Sequence, residues 1–347
     1  MQYVKAILSL AVTIALLWAL QNKFGDIPPV GKLLNPVSGF WQNAESKNFV
    51  DEAELKLPGL KGRVTILFDE HRIPHIFAEN DHDAYYAQGY ITARDRLWQM
   101  DIQTRSASGR LAEVVGPKAL EVDRNKRRMG MVYGAENTLK GMQQDKEVWE
   151  GAVAYADGIN AYIAQLSPKD YPLEYKLLDY APEKWTPINS AFLLKLMSNT
   201  LAGGSDQFAM TNTLNKFGTD VIKELFPNRP LHDEPIIPAG TKWNFSPVEI
   251  PKPSKSFIAQ MTEHKMPEKQ EGIGSNNWAI SGSKAASGYP ILANDPHLNL
   301  TYPSIWYQVQ LVTPTMNVYG VALPGAPGVV IGFNKKISWG VTNVDAA

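Results

Sequence analysis

A long hydrophilic stretch divides this chain into two parts that have different folding tendencies. Prolines and charged residues dominate residues 231–274, and the runs 251–255 and 263–271 contain too little apolar surface to bury. Before this stretch, residues 134–166 and 188–200 show helical periodicity, whereas short apolar runs separated by Gly, Pro and Asn follow it. The sequence therefore predicts a mainly helical first part, an exposed spacer and a second part of antiparallel strands.

Two strands are predicted ahead of the first long helix, at residues 63–68 and 76–78. Asp81 or Asp83 is predicted to be the N-cap of that helix, because a short acidic side chain can accept a hydrogen bond from the first helical turn. Later strands are predicted at residues 278–280, 290–293, 306–311, 317–321, 329–332 and 337–339. Trp278 is expected to pack in the core.

Ser275 follows Gly274 at the junction between the spacer and the strands. An isolated Gly-Ser pair is most often a turn, and Ser275 lacks the G-x-S-x-G surroundings of an α/β-hydrolase nucleophile. Cleavage between Gly274 and Ser275 would give the serine a free α-amine with a pKa of about 7.7–8.0, which can act as its base. Glycine at position 274 is expected to allow unusual backbone angles and a close approach during that cleavage.

The N-terminus carries the uncharged residues 6–20, which are apolar on all faces. At about 1.5 Å per residue such a run covers about 22 Å, less than a bilayer core of about 30 Å. That length suits the apolar part of a signal peptide, yet no A-x-A-like cleavage site follows it. Residues 4–20 are therefore predicted to be a signal peptide or an inner-membrane anchor. In either case the remaining chain would be periplasmic or otherwise extracytoplasmic.

Charge and cysteine content narrow the possible functions. A formal net charge of −1 gives no indication of a nucleic-acid partner. The chain has no cysteine, which excludes disulfides, cysteine zinc sites and a thiol nucleophile. The sequence argues against a metal-dependent hydrolase that uses His71, His75 and His82, because these residues do not have a metal-ligand spacing such as H-E-x-x-H.

Several motifs occur together and in order along the chain. The second part contains Asn294-Asp295-Pro296-His297, Leu323-Pro324-Gly325 and Ile337-Ser338-Trp339-Gly340. The first part contains residues 87–90, 93–101 and 109–113, with the charged residues Arg94, Asp95, Arg96, Asp101 and Arg105, for which ion pairing along one helix is expected. Taken together with Ser275, these motifs resemble the penicillin acylase (penicillin amidase) family of N-terminal-nucleophile hydrolases, from about residue 60 to the end.

The resemblance implies an α+β fold, in which the second part begins the four-layer αββα sandwich of N-terminal-nucleophile hydrolases. It also implies that family members continue well beyond residue 347, so that this chain ends early in the second chain of a precursor. The implied segments are a signal or anchor at 1–22, a lead-in linker at 23–60, a helical first-chain region at 61–245, a spacer propeptide at 246–274 and the start of the catalytic second chain at 275–347.

The same resemblance implies the chemistry and its residues. Ser275 would cleave its own bond to Gly274, after which the two chains stay associated and Ser275 attacks linear N-acyl amides, such as acylated β-lactams or acyl-homoserine lactones. His297, 22 residues later, would orient or assist the serine. The backbone N–H of Asn343 would donate to the oxyanion, and Asn276 would support the chain beside the nucleophile.

No cofactor is implied as a requirement, although some family members bind calcium. Asp206 and Asp345 are the oxygen ligands predicted for such a structural calcium ion. Gln207 stands near the position where a Glu is expected, and Ala347 where an Asp is common, so both positions depart from the pattern.

An alternative from another class remains open. The chain could belong to a catalytically inactive periplasmic binding or scaffold homologue that keeps the fold and stays uncleaved. For the 347-residue chain by itself, we expect no turnover and no efficient self-cleavage, because the second oxyanion donor of the family lies beyond residue 347.

Overall fold

The structure is a computed structural model that describes residues 2–25, 27–44, 53–201, 207–225, 240, 242 and 274–342. The chain forms two compact units, Met1–Ala202 with Gly274–Asn343 and Gly203–Ile273 with Val344–Ala347. In the described part of the second unit, two helices follow one another, and their bounds are given below with the others.

Helices dominate the part of the chain before the spacer. The described α-helices are α1 (Gln2–Gln21), α2 (Val30–Leu33), α3 (Trp41–Ala44), α4 (Asp81–Ser108), α5 (Ala112–Val115), α6 (Leu120–Arg128), α7 (Met131–Gln144), α8 (Lys146–Ile163), α9 (Leu173–Leu178), α10 (Pro187–Leu201), α11 (Gln207–Phe217) and α12 (Thr219–Leu225). Short 3₁₀ helices occur at Pro117–Ala119, Pro168–Asp170 and Gly282–Lys284.

Strands precede α4 and follow the spacer. They are β1 (Val64–Phe68), β2 (Pro74–Ala78), β3 (Gly274–Ile280), β4 (Ile291–His297), β5 (Tyr307–Val312), β6 (Asn317–Ala322), β7 (Ile331–Asn334) and β8 (Ser338–Trp339). Helices make up 53% and strands 16% of the structure, which confirms the predicted α+β class.

Helix α4 is the central element, and its N-terminus differs from the prediction. The N-cap is Asn80, whose side chain accepts a hydrogen bond from the backbone N–H of Asp83. Asp83 is fully buried and instead accepts hydrogen bonds from the backbone N–H groups of Lys61 and Gly62. The prediction of Asp81 or Asp83 as the cap is therefore wrong, because the carboxylate of Asp83 is used to hold the chain that enters β1.

Two glycines let α4 and α8 pack with their backbones in contact. A Cβ atom at Gly89 would collide with the carbonyl oxygen of Tyr155, and one at Gly158 would collide with that of Tyr86. The side chains of Tyr86 and Tyr155 are at most 1% exposed, so this helix pair forms the centre of the core. Its burial of aromatic surface is a main source of the hydrophobic stabilisation of this unit.

A six-stranded sheet of order β1-β2-β5-β6-β7-β8 combines strands from before and after the spacer. Strand β2 pairs with β5 in parallel, with Ile76 opposite Leu311, while all other neighbours in this sheet are antiparallel. Ile76, Val309 and Leu311 are fully buried in the same hydrophobic cluster as Tyr86 and Tyr90 of α4. One face of the sheet is thus covered by the central helix pair.

The loop between β6 and β7 is tied to the same two helices. The side chain of Gln88 on α4 accepts from the backbone N–H of Gly328 at 2.9 Å and donates to its carbonyl oxygen at 2.9 Å. The hydroxyl of Tyr155 on α8 accepts from the backbone N–H of Gly325 at 3.0 Å. The Tyr155 contact holds the Leu323-Pro324-Gly325 segment, and the Gln88 contacts hold the chain just after it.

Strands β3 and β4 form a separate two-stranded antiparallel sheet. Trp278 on β3 is 51% exposed, so the prediction that it packs in the core is wrong for this chain. Among the described residues, no third strand pairs with this ribbon, and two strands alone offer little surface on which a large aromatic side chain can be buried.

Candidate active site

The candidate nucleophile lies near the beginning of β3. Gly274 is the first residue of the strand and Ser275 the second. Antiparallel pairing with β4 places Gly274 opposite His297, Ser275 opposite Pro296 and Asn276 opposite Asp295. Residues separated by 19 to 23 positions in sequence are therefore brought together by one hairpin.

The hydroxyl of Ser275 points at the peptide bond that is predicted to break. Its Oγ donates a hydrogen bond to the carbonyl oxygen of Gly274 at 2.6 Å, a normal length for an O–H···O bond. Ser275 is half-buried. The nucleophilic oxygen and the carbonyl group of its own precursor bond are thus in direct contact before any cleavage.

Gly274 itself is not in a conformation that requires glycine. Its φ is outside the left-handed region. A Cβ atom built on it would meet a single side-chain atom, Nδ1 of His297, at the ordinary contact distance of 3.8 Å. The uncleaved chain thus shows no left-handed angle at Gly274, and the expectation of unusual backbone angles during cleavage stays a prediction.

His297 lies beside the predicted cleavage position, yet its hydrogen bonds go to other groups. Its Nε2 is 2.9 Å from Oδ2 of Asp295 and 3.5 Å from Nδ2 of Asn276. Within the described residues, the Oγ of Ser275 has its hydrogen bond with Gly274 and none with the imidazole. Asn276 directly follows Ser275 and contacts the imidazole at 3.5 Å, and its supporting role stays a prediction.

The amide of Asn294 connects this hairpin to the chain after β8. It donates to the carbonyl oxygens of Asn276 at 3.3 Å and Val341 at 3.0 Å, and it accepts from the backbone N–H of Val341 at 3.2 Å. In the sequence, Asn294 is recognisable only as the first residue of the motif 294–297, which gives its side chain no function. Its side-chain contacts depend on a residue 47 positions away, so no local pattern could indicate them.

Three predicted site residues fall outside the described part of the chain. They are Asn343, the predicted backbone oxyanion donor, and the two predicted calcium ligands, Asp206 and Asp345. The described residues contain no group of three or more His, Asp or Glu side chains that could hold a metal ion. Calcium takes six to eight oxygen ligands, and two carboxylates fall short of that set, so no step below is routed through calcium.

Comparison with known proteins identifies the family of this chain. A sequence profile described as penicillin amidase matches residues 63–347. Ser275, at the start of a strand in this α+β fold, fits the N-terminal nucleophile of that family. The chain belongs to the penicillin amidase family.

Several named relatives match most of this chain. It is 35% identical over 294 residues to the acyl-homoserine lactone acylase QuiP of Pseudomonas aeruginosa, covering 83% of this chain and 34% of that protein. It is 32% identical to the penicillin acylase 2 proenzyme of Pseudomonas sp., covering 83% of this chain and 37% of that protein. The chain thus spans about a third of the length of the curated relatives it matches.

Among solved structures, the chain is similar to a thermostable penicillin G acylase from Alcaligenes faecalis. The sequence identity is 24% and the TM-score is 0.44, with 56% of this chain and all of that chain covered.

Proposed function

We propose that this protein is an exported amidohydrolase that cleaves linear N-acyl amides through an acyl-enzyme on Ser275. The nucleophile would become active after self-cleavage of the Gly274–Ser275 bond. The observation that carries this proposal is the 2.6 Å hydrogen bond between the Oγ of Ser275 and the carbonyl oxygen of Gly274, at the start of a strand in a chain of this family.

Self-cleavage follows from that contact in two balanced steps. The Oγ attacks the carbonyl carbon of Gly274, the C–N bond breaks, and the released amine of Ser275 takes up the proton that the hydroxyl gives up. Water then hydrolyses the resulting ester, which yields the carboxylate of Gly274 and restores the hydroxyl. The products are two chains, the second of which begins with Ser275 and remains bound to the first.

Substrate hydrolysis would use the same oxygen with the new amine as its base. An α-amine has a pKa of about 7.7–8.0, so about 10–15% of it is unprotonated at pH 7 and can accept the serine proton, and this fraction rises with pH. The backbone N–H of Asn343 would stabilise the oxyanion that develops on the attacked carbonyl. His297, held by Asp295 and Asn276, would orient the N-terminal residue.

The substrate class is supported by the names of the relatives. QuiP is named for acyl-homoserine lactones, and the second relative is named a penicillin acylase. Both names denote molecules in which an acyl group is joined to an amine by a linear amide. We extend that shared feature, rather than either particular compound, to this protein, with no cofactor taking part.

Helix α1 supports export. It is the one helix among the described residues that is long and apolar enough to cross a membrane, with a mean hydropathy of 2.0. Its 20 residues span about 30 Å, longer than the apolar run alone and equal to a bilayer core. We propose that α1 is a signal or an inner-membrane anchor. N-terminal sequencing of protein from the membrane and soluble fractions distinguishes the two, and full-length protein in the cytosolic fraction contradicts both.

The central experiment expresses the protein from its complete gene as wild type, Ser275→Ala and His297→Ala. Mass spectrometry and N-terminal sequencing should show two chains in the wild type, with Ser275 as the new N-terminus, and release of amine from hexanoyl-4-nitroanilide should accompany them. Ser275→Ala should stay as one chain without activity. His297→Ala should process and turn over more slowly, by about 10-fold or more, as is typical for a positioned proton-transfer or orienting group.

The same experiment tests the alternative of an inactive binding or scaffold homologue. An uncleaved, soluble and inactive wild-type protein would support that alternative. Turnover by an uncleaved chain, or full activity in Ser275→Ala, would contradict the proposed mechanism.

A further inference from the structure

We infer that Asn294 is a positioning residue that sets the backbone leading to the oxyanion donor at a fixed place relative to Ser275. This inference rests on the proposed function, because it concerns the same nucleophile and the same backbone donor. It goes further in that it assigns a role to a side chain that would touch neither the substrate nor the serine.

Asn294 is held next to the nucleophile by the strand pairing. It lies on β4 opposite Asn277, two residues beyond Ser275. Its Nδ2 also donates to the carbonyl oxygen of Asn276 at 3.3 Å, the residue directly after the nucleophile. One end of the Asn294 amide is therefore fixed to the strand that carries Ser275.

The same amide binds both backbone groups of a residue on the other segment. Its Nδ2 donates to the carbonyl oxygen of Val341 at 3.0 Å, and its Oδ1 accepts from the N–H of Val341 at 3.2 Å. Among the described residues, these are the hydrogen bonds that the Val341 backbone makes. Two bonds from one planar group fix the direction of the peptide as well as its position.

Side-chain burial holds this segment only in part in the described structure. Val341 is 45% exposed, and it follows the two-residue strand β8 without belonging to it. The hydrogen bonds from Asn294 are therefore the main specific contacts that set its place.

Gly340 makes the approach possible. A Cβ atom at this position would lie 2.6 Å from Cγ of Asn294 and 2.7 Å from its Cβ and Oδ1, closer than real Cβ contacts. Any side chain at position 340 would push the segment away from the amide. Asn294 and Gly340 thus form a matched pair, one supplying the hydrogen bonds and the other the space.

Asn294 connects the two halves of the proposed catalytic apparatus over a short span. Asn276 is one residue from Ser275, and Val341 is two residues from Asn343, which is at most about 7 Å of extended chain. A backbone donor stabilises an oxyanion only when it is aimed at the developing charge, and a misplacement of about 1 Å can reduce the rate about 100-fold. Loss of the Asn294 amide should therefore reduce the chemical step.

The test uses the protein expressed from its complete gene, as wild type, Asn294→Ala and Gly340→Ala, with Asn277→Ala as the matched control on the facing strand. With hexanoyl-4-nitroanilide, Asn294→Ala and Gly340→Ala should lower kcat about 10- to 100-fold and change KM by less than about 3-fold. The Ki of hexylboronic acid, which forms a tetrahedral anion on a nucleophilic serine, should rise by the same factor as kcat falls. Asn277→Ala should retain the wild-type values.

The outcomes separate this inference from the function on which it rests. An uncleaved and inactive wild type would overturn the proposed function and the inference with it. An active wild type together with unchanged kcat in Asn294→Ala would overturn the inference alone. An effect confined to KM, a fall in kcat without a rise in Ki, or an equal loss in Asn277→Ala would also overturn it. If Asn294→Ala does not fold, as judged by its thermal unfolding, Gly340→Ala decides the question.

Discussion

Gly274 shows how a residue next to a reactive bond can be ordinary in its geometry. It lies in a β-strand without a left-handed φ, and the space beside its Cα is open up to Nδ1 of His297. The glycine therefore has no left-handed backbone angle that would indicate strain at this peptide. In the proposed self-cleavage, the closeness of the serine hydroxyl to the Gly274 carbonyl, rather than backbone strain, would prepare the bond for attack.

This geometry predicts that Gly274→Ala still undergoes self-cleavage. The new methyl group would be in normal van der Waals contact at 3.8 Å, so the expected rate is within about 5-fold of wild type. The measurement is the time course of chain separation after synthesis, followed by gel electrophoresis and mass spectrometry, with Ser275→Ala as the uncleaved control. Complete loss of cleavage in Gly274→Ala would show that glycine is required in a conformation other than this one.

The start of α4 illustrates what can be read from single residues. The sequence correctly places short polar residues at the first turn, but it does not distinguish Asn80 from Asp81 and Asp83 as the cap. Burial raises the pKa of Asp83, but hydrogen bonds from His82, Lys61, Asn80 and Gly62 outweigh it and lower the pKa overall. Two of those partners, His82 and Asn80, are at the cap, whereas Lys61 and Gly62 belong to the chain before β1, which local propensity does not report.

At the scale of elements, a charged network joins the end of α4 to the chain before α10. Arg105 is 4% exposed and forms ion pairs with Asp101 at 2.9 Å, Glu113 at 3.1 Å and Glu183 at 2.7 Å. Arg110 pairs with the same two glutamates. The predicted pairing along one helix is found for Arg105 with Asp101, but the tertiary partner Glu183 lies about 80 residues away.

The pKa values of the two glutamates give this network a pH dependence. Hydrogen bonding to Arg110 lowers the pKa of Glu113. For Glu183, burial acts to raise the pKa, but hydrogen bonds from Arg110 and Arg105 outweigh it and lower the pKa. A carboxyl group with a lower pKa in the folded state stabilises the fold above its unfolded pKa of about 4.3, and this contribution is lost as the pH falls through the folded pKa.

Arg110→Ala is therefore expected to reduce the free energy of unfolding at pH 7 and to have a smaller effect at pH 3. Because Arg110 and both glutamates are partly exposed, we expect a loss of about 1 kcal/mol at pH 7 and less than half of that at pH 3. Urea unfolding at the two pH values measures the difference. Arg124→Ala removes the exposed pair with Glu121 and should change the stability by less than about 0.5 kcal/mol at either pH. An equal loss for Arg110→Ala at both pH values would contradict the assignment.

At the scale of the molecule, part of the predicted lead-in segment is docked onto the helical region. The ammonium of Lys176 on α9 donates to the carbonyl oxygen of Gly39 at 3.0 Å and to Oδ1 of Asn43 at 2.6 Å. Lys32 forms an ion pair with Asp179 at 3.0 Å. The chain that connects α1 to the rest of this unit is therefore held by hydrogen bonds over residues 32–43.

Removing the Lys176 ammonium should release this segment. Lys176→Ala leaves the oxygens of Gly39 and Asn43 without that donor, and we expect proteolysis within residues 22–44 to become about 3- to 10-fold faster. Limited proteolysis with sequencing of the cleavage sites measures the change, and Lys146→Ala on the exposed surface of α8 is the control. Cleavage of both variants at the wild-type rate would mean that these contacts do not hold the segment.

The sequence by itself determined the type of most elements, the position of the serine beside its glycine, and the family, because periodicity and motifs are local properties of the chain. The tertiary structure decided which elements meet. It paired β2 in parallel with β5 across more than 200 residues, left Trp278 exposed on a two-stranded ribbon, and brought the amide of Asn294 to the backbone of Val341. These contacts depend on how closely the backbones of distant elements approach each other and on which distant partner each polar group binds. The spacing of residues along one element encodes neither of these.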